Sequence, residues 1–296
     1  MPAKILYGKQ IAEEIRAELG LRIEQLKDRG ITPGLGVICV GSDPASKSYV
    51  KAKEKACKKI GIYSKDIPLQ ETTSQEELLR IINELNSDAA IHGILVQLPL
   101  PKHIQESEVL RAIDPEKDVD GFHPINVGKM LLGEESLLPC TPHGILQLLI
   151  RNGVELKGAN IVILGRSNIV GKPLAGMLMQ KAETGNATVT VCHTSTRDIY
   201  NHTLKADIVI CATGRPDTLK ADMVKPGVIV IDVGVNRVED PAKKKGYRLV
   251  GDVDYEAVSE KAAMITPVPG GVGPMTITML LYNTVESAGH FLNKEH

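Results

Sequence analysis

The chain has 296 residues, with 35 Lys and Arg against 36 Asp and Glu, and a formal net charge of −1. That balance removes the electrostatic case for nucleic acid or an anionic membrane as partner, and two Phe with no Trp leave little surface for stacking bases. The length predicts two domains with full cores, and no run is long and apolar enough to predict a membrane span. Residues Met1 to Leu6 lead directly into a charged amphipathic helix, which is not the form of a signal peptide. Five scattered cysteines (Cys39, Cys57, Cys140, Cys192, Cys211) without a C-x-x-C pair predict buried thiols in a reducing compartment, so the expected location is cytoplasmic.

The first half alternates helices and strands. Ile11, Ile15, Leu19 and Leu26 recur at helical spacing over about 8–29, and an apolar strand follows at 35–40. A helix is predicted at about 44–60, a short strand near 62–67, a helix at 75–86 and a strand at 91–97. In the second of these helices, within Ser48-Tyr49-Val50-Lys51-Ala52-Lys53, Tyr49 and Lys53 fall four residues apart on one face, continued by Cys57 and Ile60. Spacing alone reads as a solvated basic helix with a tyrosine at the core edge; the functional reading is a proton-transferring lysine beside a hydroxyl. A lysine acts as a base only where its surroundings favour the neutral amine. Gln97 ends the last strand before Leu98-Pro99-Leu100-Pro101, where it either caps the strand or orients a ligand or water. The acidic turn Asp114–Gly121 imitates the start of a calcium loop, but the closing Glu would fall at Val127. No Cys/His cluster or H-E-x-x-H is present, so no metal is predicted, and no G-x-S-x-G elbow points to a serine nucleophile.

A domain boundary is expected near 140–157, where Pro139-Cys140-Thr141-Pro142 opens a helix that ends at Asn152-Gly153. Then comes an apolar strand running through Gly165-Arg166-Ser167 to Val170-Gly171-Lys172-Pro173, a strand–turn–helix of the kind that holds a dinucleotide pyrophosphate. It departs from G-x-G-x-x-G, with Ser167 in place of the second glycine and Gly171 one residue late. The next strand, Thr188–Cys192, continues as His193-Thr194-Ser195-Thr196-Arg197 without the acid that binds a ribose diol. Hydroxyls and cations there, with Arg166, suit the extra phosphate of NADP. Strands at 207–214 and 228–234 each end in glycine, Gly214 and Gly234, at the carboxyl edge where open parallel sheets bind ligands. A rigid loop, Thr266-Pro267-Val268-Pro269-Gly270-Gly271-Val272-Gly273-Pro274, precedes a final helix at 276–291. The predicted fold is therefore two α/β domains with an active-site cleft between them. The first spans 1–144, with the C-terminal helix 274–293 packing back on it. The second, 145–273, is a Rossmann-like doubly wound parallel sheet that binds the cofactor.

Seven motifs in order make the chain resemble the bifunctional methylenetetrahydrofolate dehydrogenase/methenyltetrahydrofolate cyclohydrolase family over almost its whole length. They are Ser48–Lys53, Val96–Pro101, Asp118-Val119-Asp120-Gly121, Gly165–Ser167 with Val170–Pro173, Ala212–Pro216, Asp232-Val233-Gly234 and Pro267–Thr276. The resemblance implies NADP-dependent oxidation of 5,10-methylenetetrahydrofolate to the methenyl form, then hydrolysis to 10-formyltetrahydrofolate. It implies Lys53 as the lysine of the cyclohydrolase step, Gln97 as its hydrogen-bonding partner and Tyr49 packed over the folate, available to a proton relay. A water positioned by Gln97 is an equal alternative to Lys53 as proton acceptor. Asp120 is implied to hold the aminopyrimidine edge of the pterin, with Pro99, Pro269, Gly270 and Gly271 against the substrate. Gly165, Arg166, Ser167, Gly171, Thr194, Ser195, Thr213, Gly214, Val233 and Gly234 are implied at the NADP site. Thr194 stands where many relatives carry serine, which keeps the hydroxyl. A cytoplasmic homodimer in one-carbon metabolism and purine biosynthesis is the expected setting. The rivals are a dehydrogenase that has lost the second activity, which intact Tyr49, Lys53 and Gln97 argue against, a folate- or nucleotide-binding regulator without turnover, and an unrelated NADP dehydrogenase of small hydroxy acids, which leaves Gln97–Pro101 and Asp118–Gly121 unexplained.

Overall fold

The computed structural model describes residues 2–243 and 246–294, except for the side chains of 44–48 and 292–294; Ser48 of the first motif is thus outside the described side chains. In chain order the elements are β1 (Lys4–Ile5), α1 (Gly8–Asp28), β2 (Gly34–Val40), α2 (Pro44–Ile60), β3 (Tyr63–Leu69), α3 (Gln75–Ser87), β4 (Gly93–Val96), α4 (Glu106–Ala112), α5 (Pro124–Leu132) and α6 (Cys140–Arg151). They continue as β5 (Asn160–Leu164), α7 (Gly171–Leu178), β6 (Thr188–Cys192), α8 (Ile199–Thr203), β7 (Ile208–Cys211), β8 (Ile229–Asp232), β9 (Asn236–Glu239), β10 (Tyr247–Val250), α9 (Tyr255–Ser259), β11 (Met264–Ile265) and α10 (Val272–Lys294).

The chain forms two compact units, one of Glu13–Cys140 with Ile277–His296 and one of Met1–Ala12 with Thr141–Thr276. In the first, β3, β2 and β4 form a parallel sheet in that order. β2 is central and buried at every residue, as expected for a parallel strand covered on both faces, whereas edge strand β3 alternates and carries Pro68. Ser74 caps α3 by accepting from the Glu77 N–H, and Leu78, Ile81, Ile82 and Leu85 recur at helical spacing to bury one stripe of that helix. That stripe joins Ile38, Val40, Ile94 and Val96 in one core. The Ile94 N–H donates to the Lys117 carbonyl (2.7 Å), so the segment running into Asp118 lies parallel beside β4. The carboxyl ends of β4 and of this segment therefore lie at the same edge of the sheet.

The second unit holds a six-stranded parallel sheet in the order β1-β11-β8-β7-β5-β6. Its core gathers Val162, Leu164, Val209, Cys211, Val230 and Ile265, among others. β5 has β6 on one side and β7 on the other, so the chain reverses its winding direction there, and the crevice beyond Leu164 is the place such sheets offer a ligand. β9 and β10 pair as an antiparallel hairpin.

The extent of the units differs from the sequence expectation at the N-terminus. Residues 1–12 go with the six-stranded sheet because β1 forms its edge, pairing Lys4 with Met264 and Ile5 with Ile265. A two-residue strand carries no periodicity, so nothing local signals it. Residues 277–296 group with the first-half unit, where the Asn283 amide donates to the carbonyls of Val119 and Leu138, both at 2.8 Å, and the Ser287 hydroxyl donates to that of Glu116. Among the described residues, no helix is long and apolar enough to cross a membrane and no group of three acidic, His or Cys side chains could hold a metal.

Candidate active site and cofactor pocket

Within the first unit, Lys53 projects from α2 and is 8% exposed. Its Nζ donates to Gln97 Oε1 at 3.0 Å. Gln97 follows the last residue of β4, and its own amide N–H donates to the Leu98 carbonyl at 2.7 Å, which turns Oε1 toward the lysine. Tyr49, one turn before Lys53, is 44% exposed and presents its ring to the surface. Pro99 is also exposed, two residues beyond Gln97.

Asp120 ends the segment beside β4. Burial pushes its carboxyl up to about 6, the nearby Lys53 charge pulls the other way, and Asp118 adds a smaller upward push. Lys53 and Asp120 are therefore close enough to feel each other. Asp118, by contrast, is a structural acid: it is buried and accepts from the His123 N–H (2.8 Å) and the Asn126 amide (3.0 Å), which ties down the start of α5. Cys140 packs against Asp120; its thiol donates to the Val119 carbonyl at 3.1 Å, and burial holds its pKa well above the usual range, so it is inert. This corner of the unit combines a lysine Nζ, an amide acceptor and a carboxyl of raised pKa at the carboxyl edge of a parallel sheet.

In the second unit a cavity of about 360 Å³ opens at the winding reversal, lined by Gly165, Arg166, Ser167, Thr194 and Thr213 of the expected residues. It is also lined by His193, Ile199, Arg215 and Thr218, which strand-end reasoning did not single out. The lining contains two guanidiniums and no carboxylate. A ribose diol in a dinucleotide fold is normally met by an acid, so an acid-free rim with Arg166 and Arg215 fits a cofactor carrying an extra phosphate. Gly171, Ser195, Gly214, Val233 and Gly234 are not part of this lining. Gly171 opens α7, and its N–H and that of Val170 point at the Ser167 hydroxyl (3.4 and 3.1 Å), which caps the helix where a second glycine would leave the amides open. Val233 and Gly234 follow β8, one strand farther from the reversal than β7.

Gly165 has φ +123° and sits so close to β7 that a Cβ would overlap the Ala212 carbonyl oxygen. Both features demand glycine. Gly165→Ala is expected to destabilise the second unit by at least about 2 kcal/mol and to raise the KM for NADP; thermal unfolding and cofactor-dependent initial rates check it.

Pro269, Gly270 and Gly271 lie in the second unit, on the turn before α10. The Gly270 carbonyl accepts from the Lys9 N–H at 3.2 Å, and the Gly271 N–H donates to the Pro267 carbonyl at 2.9 Å.

The family models that match the chain belong to one family. The tetrahydrofolate dehydrogenase/cyclohydrolase catalytic-domain model matches residues 6–120, and the NAD(P)-binding-domain model of the same family matches 139–291. The bifunctional protein FolD of Syntrophus aciditrophicus is 58% identical over 288 residues, 97% of this chain and 98% of its own. That of Geotalea daltonii is 56% identical over 286 residues, 97% and 99% respectively. Among solved structures, the bifunctional methylenetetrahydrofolate dehydrogenase/cyclohydrolase FolD from Campylobacter jejuni matches with a TM-score of 0.92 and 52% identity, covering 98% of this chain and 99% of that one. The N5,N10-methylenetetrahydrofolate dehydrogenase-cyclohydrolase of Trypanosoma brucei, complexed with NADP cofactor and an inhibitor, matches with a TM-score of 0.93 and 40% identity over the same shares.

Proposed function

This chain belongs to the tetrahydrofolate dehydrogenase/cyclohydrolase family, and from that premise we propose which of its residues carry each of the two activities. The protein oxidises 5,10-methylenetetrahydrofolate to 5,10-methenyltetrahydrofolate with NADP and hydrolyses the product to 10-formyltetrahydrofolate. NADP, when bound, supplies the acceptor for the hydride that leaves the methylene carbon.

Oxidation needs no acid or base from the protein, only two rings held in register, so the chain contributes by binding and orientation. Gly165, Arg166, Ser167, Thr194 and Thr213 hold the cofactor in the second unit, with Arg166 on its extra phosphate. Gly171, Ser195, Gly214, Val233 and Gly234 serve that site as its frame. Asp120 accepts N–H donors from the aminopyrimidine edge of the pterin, the pairing for which an ionised carboxylate is suited. Pro99, Pro269, Gly270 and Gly271 complete the substrate surface.

Hydrolysis needs a proton acceptor, because water adds to a cationic amidinium carbon and must lose a proton; the hydroxyl proton of the adduct then passes to N5 as the C–N5 bond breaks, leaving the formyl group on N10. Lys53, as the neutral amine, takes that role, and the observation that carries it is the part-buried 3.0 Å bond from its Nζ to Gln97 Oε1. Gln97 fixes where one lysine N–H points, and so orients the remaining positions on Nζ toward the reacting water. Tyr49 packs its exposed ring over the folate beside the lysine. The reading extends to a homodimer working in the cytoplasm, within one-carbon metabolism and purine biosynthesis.

Supplying 5,10-methylenetetrahydrofolate with NADP⁺ and following NADPH and the methenyl compound together tests the pair of activities. The methenyl compound is expected to stay below NADPH by more than spontaneous hydrolysis accounts for. One-for-one accumulation would mean that the Tyr49/Lys53/Gln97 group does not hydrolyse it.

A further inference from the structure

Asp252 belongs to none of the groups assigned above, yet it is wholly buried and bonded to the loop that forms one wall of the cofactor cavity. Its Oδ2 accepts from the Thr213 N–H (2.6 Å), the Gly214 N–H (2.8 Å) and the Thr213 hydroxyl (3.0 Å). Its main-chain carbonyl accepts from the N–H groups of Thr218 (2.7 Å) and Leu219 (3.2 Å). One residue thereby grips both feet of the loop 213–219, and Thr213, Arg215 and Thr218 of that loop all line the cavity.

The grip is itself anchored. Oδ1 of Asp252 accepts from the Asn236 amide at 2.8 Å, at the start of β9, and the Asp252 N–H donates to Asp232 Oδ1 at 2.9 Å, at the end of β8. Asp232 also accepts from the N–H groups of Gly234 and Val253, both at 3.0 Å. Gly234 has no room for a side chain, since a Cβ there would overlap Asp252 Oδ1. A buried carboxylate is expensive unless its lone pairs are filled, and here they are filled by cavity-loop donors on one oxygen and by the hairpin on the other. The loop between β7 and residue 221 holds no helix or strand beyond a single bridge of Leu219 to Val253, so charge-assisted bonds to Asp252 shape the rest of it.

We propose that Asp252 is a positioning residue for the dehydrogenase step, its carboxylate and carbonyl holding the 213–219 loop in the shape that receives the dinucleotide. This rests on the assignment of the cavity to NADP. It predicts a defect confined to the cofactor, because the cyclohydrolase group lies in the other unit and consumes no NADP.

The test uses the full-length protein, with initial rates at varied NADP⁺ and, separately, hydrolysis of methenyltetrahydrofolate without cofactor. Asp252→Ala is expected to raise the KM for NADP about tenfold or more, with kcat at saturating NADP and cofactor-free hydrolysis changed less than about threefold. Asp252→Asn keeps one acceptor oxygen for the two loop amides and is expected to recover part of that loss. A KM for NADP within about twofold of the unmodified protein in Asp252→Ala would overturn the proposal. If Asp252→Ala does not fold, Asp252→Asn decides: hydrolysis and NADP use falling together would make Asp252 a support of the whole fold and overturn the proposal as well. Arg166→Ala is run alongside. An effect of Arg166→Ala without one of Asp252→Ala refutes only the positioning role, whereas no effect of either on the KM for NADP removes the cavity assignment beneath it.

Discussion

Lys53→Met is expected to lower methenyltetrahydrofolate hydrolysis by about 10²–10⁴-fold, the usual contribution of a positioned proton-transfer group, while NADP-dependent oxidation survives. Methionine fills nearly the same volume as the lysine stem, so the buried wall formed by α2 is kept. What disappears is the Nζ group and its bond to Gln97 Oε1. The freed glutamine oxygen costs about 1–3 kcal/mol where it stays dry, which a modest fall in thermal stability would register. Oxidation moves a hydride between two bound rings without a protein base, so its loss should be small by comparison. The measurement is a paired assay, with hydrolysis read from the decay of the methenyl compound and oxidation read from NADPH in the same preparation. Retention of full hydrolysis in Lys53→Met would return the role of proton acceptor to a water held by Gln97. Gln97→Ala would then carry the larger defect.

Asp120→Asn is expected to raise the KM for the folate substrate about 10–100-fold in both reactions, the range for losing a charge-assisted acceptor that meets two N–H donors. A shared defect is the signature, because both reactions use the same pterin, whereas the lysine variant separates them. The pH dependence gives a second reading. Burial lifts the carboxyl to about 6, so in the unmodified protein folate affinity should fall as the pH drops below about 6 and the group becomes neutral. The stability effect has the opposite sense. A carboxyl whose pKa is higher folded than unfolded binds more protons in the native state, so its contribution is greatest in acid and is lost as the pH rises through about 6. In Asp120→Asn both dependences on this group should vanish: the fall in folate affinity below about pH 6 disappears, and the variant loses less stability across that window than the unmodified protein, the buried Asp232 carboxyl, also raised to about 6, supplying the remainder. Unchanged folate kinetics would refute the pterin assignment.

Much of the architecture was legible because it is local. The periodicity of Ile11, Ile15 and Leu19, the unbroken apolar run of β2 and the strand–turn–helix at 160–178 each report a buried face or a tight turn from a few neighbouring residues. The pairing of Tyr49 with Lys53 on one face also follows from helix geometry alone. Strand-end reasoning located the carboxyl edge of the cofactor sheet, but could not tell which strand ends border the cavity. Gly214 and Gly234 stand at that edge without lining it, whereas Arg215, inside the Ala212–Pro216 motif but assigned no role there, and Thr218, which no motif marks, both line it.

Sequence by itself determined the order of the motifs, the alternation of helices and strands in both halves and the chemical types available: a lysine, a glutamine and an aspartate in one half, and an acid-free dinucleotide turn in the other. Only the tertiary structure brought Lys53 to 3.0 Å from Gln97, 44 residues away, with Asp120 near enough to feel its charge. It alone joined β1 to a strand some 260 residues later and closed Asp252 on the cavity loop. The physical reason is that a side chain's period records whether it is buried, while its partner is set by which strands and loops pack beside it. That choice is made by non-local hydrogen bonds and core contacts, which no window of sequence contains.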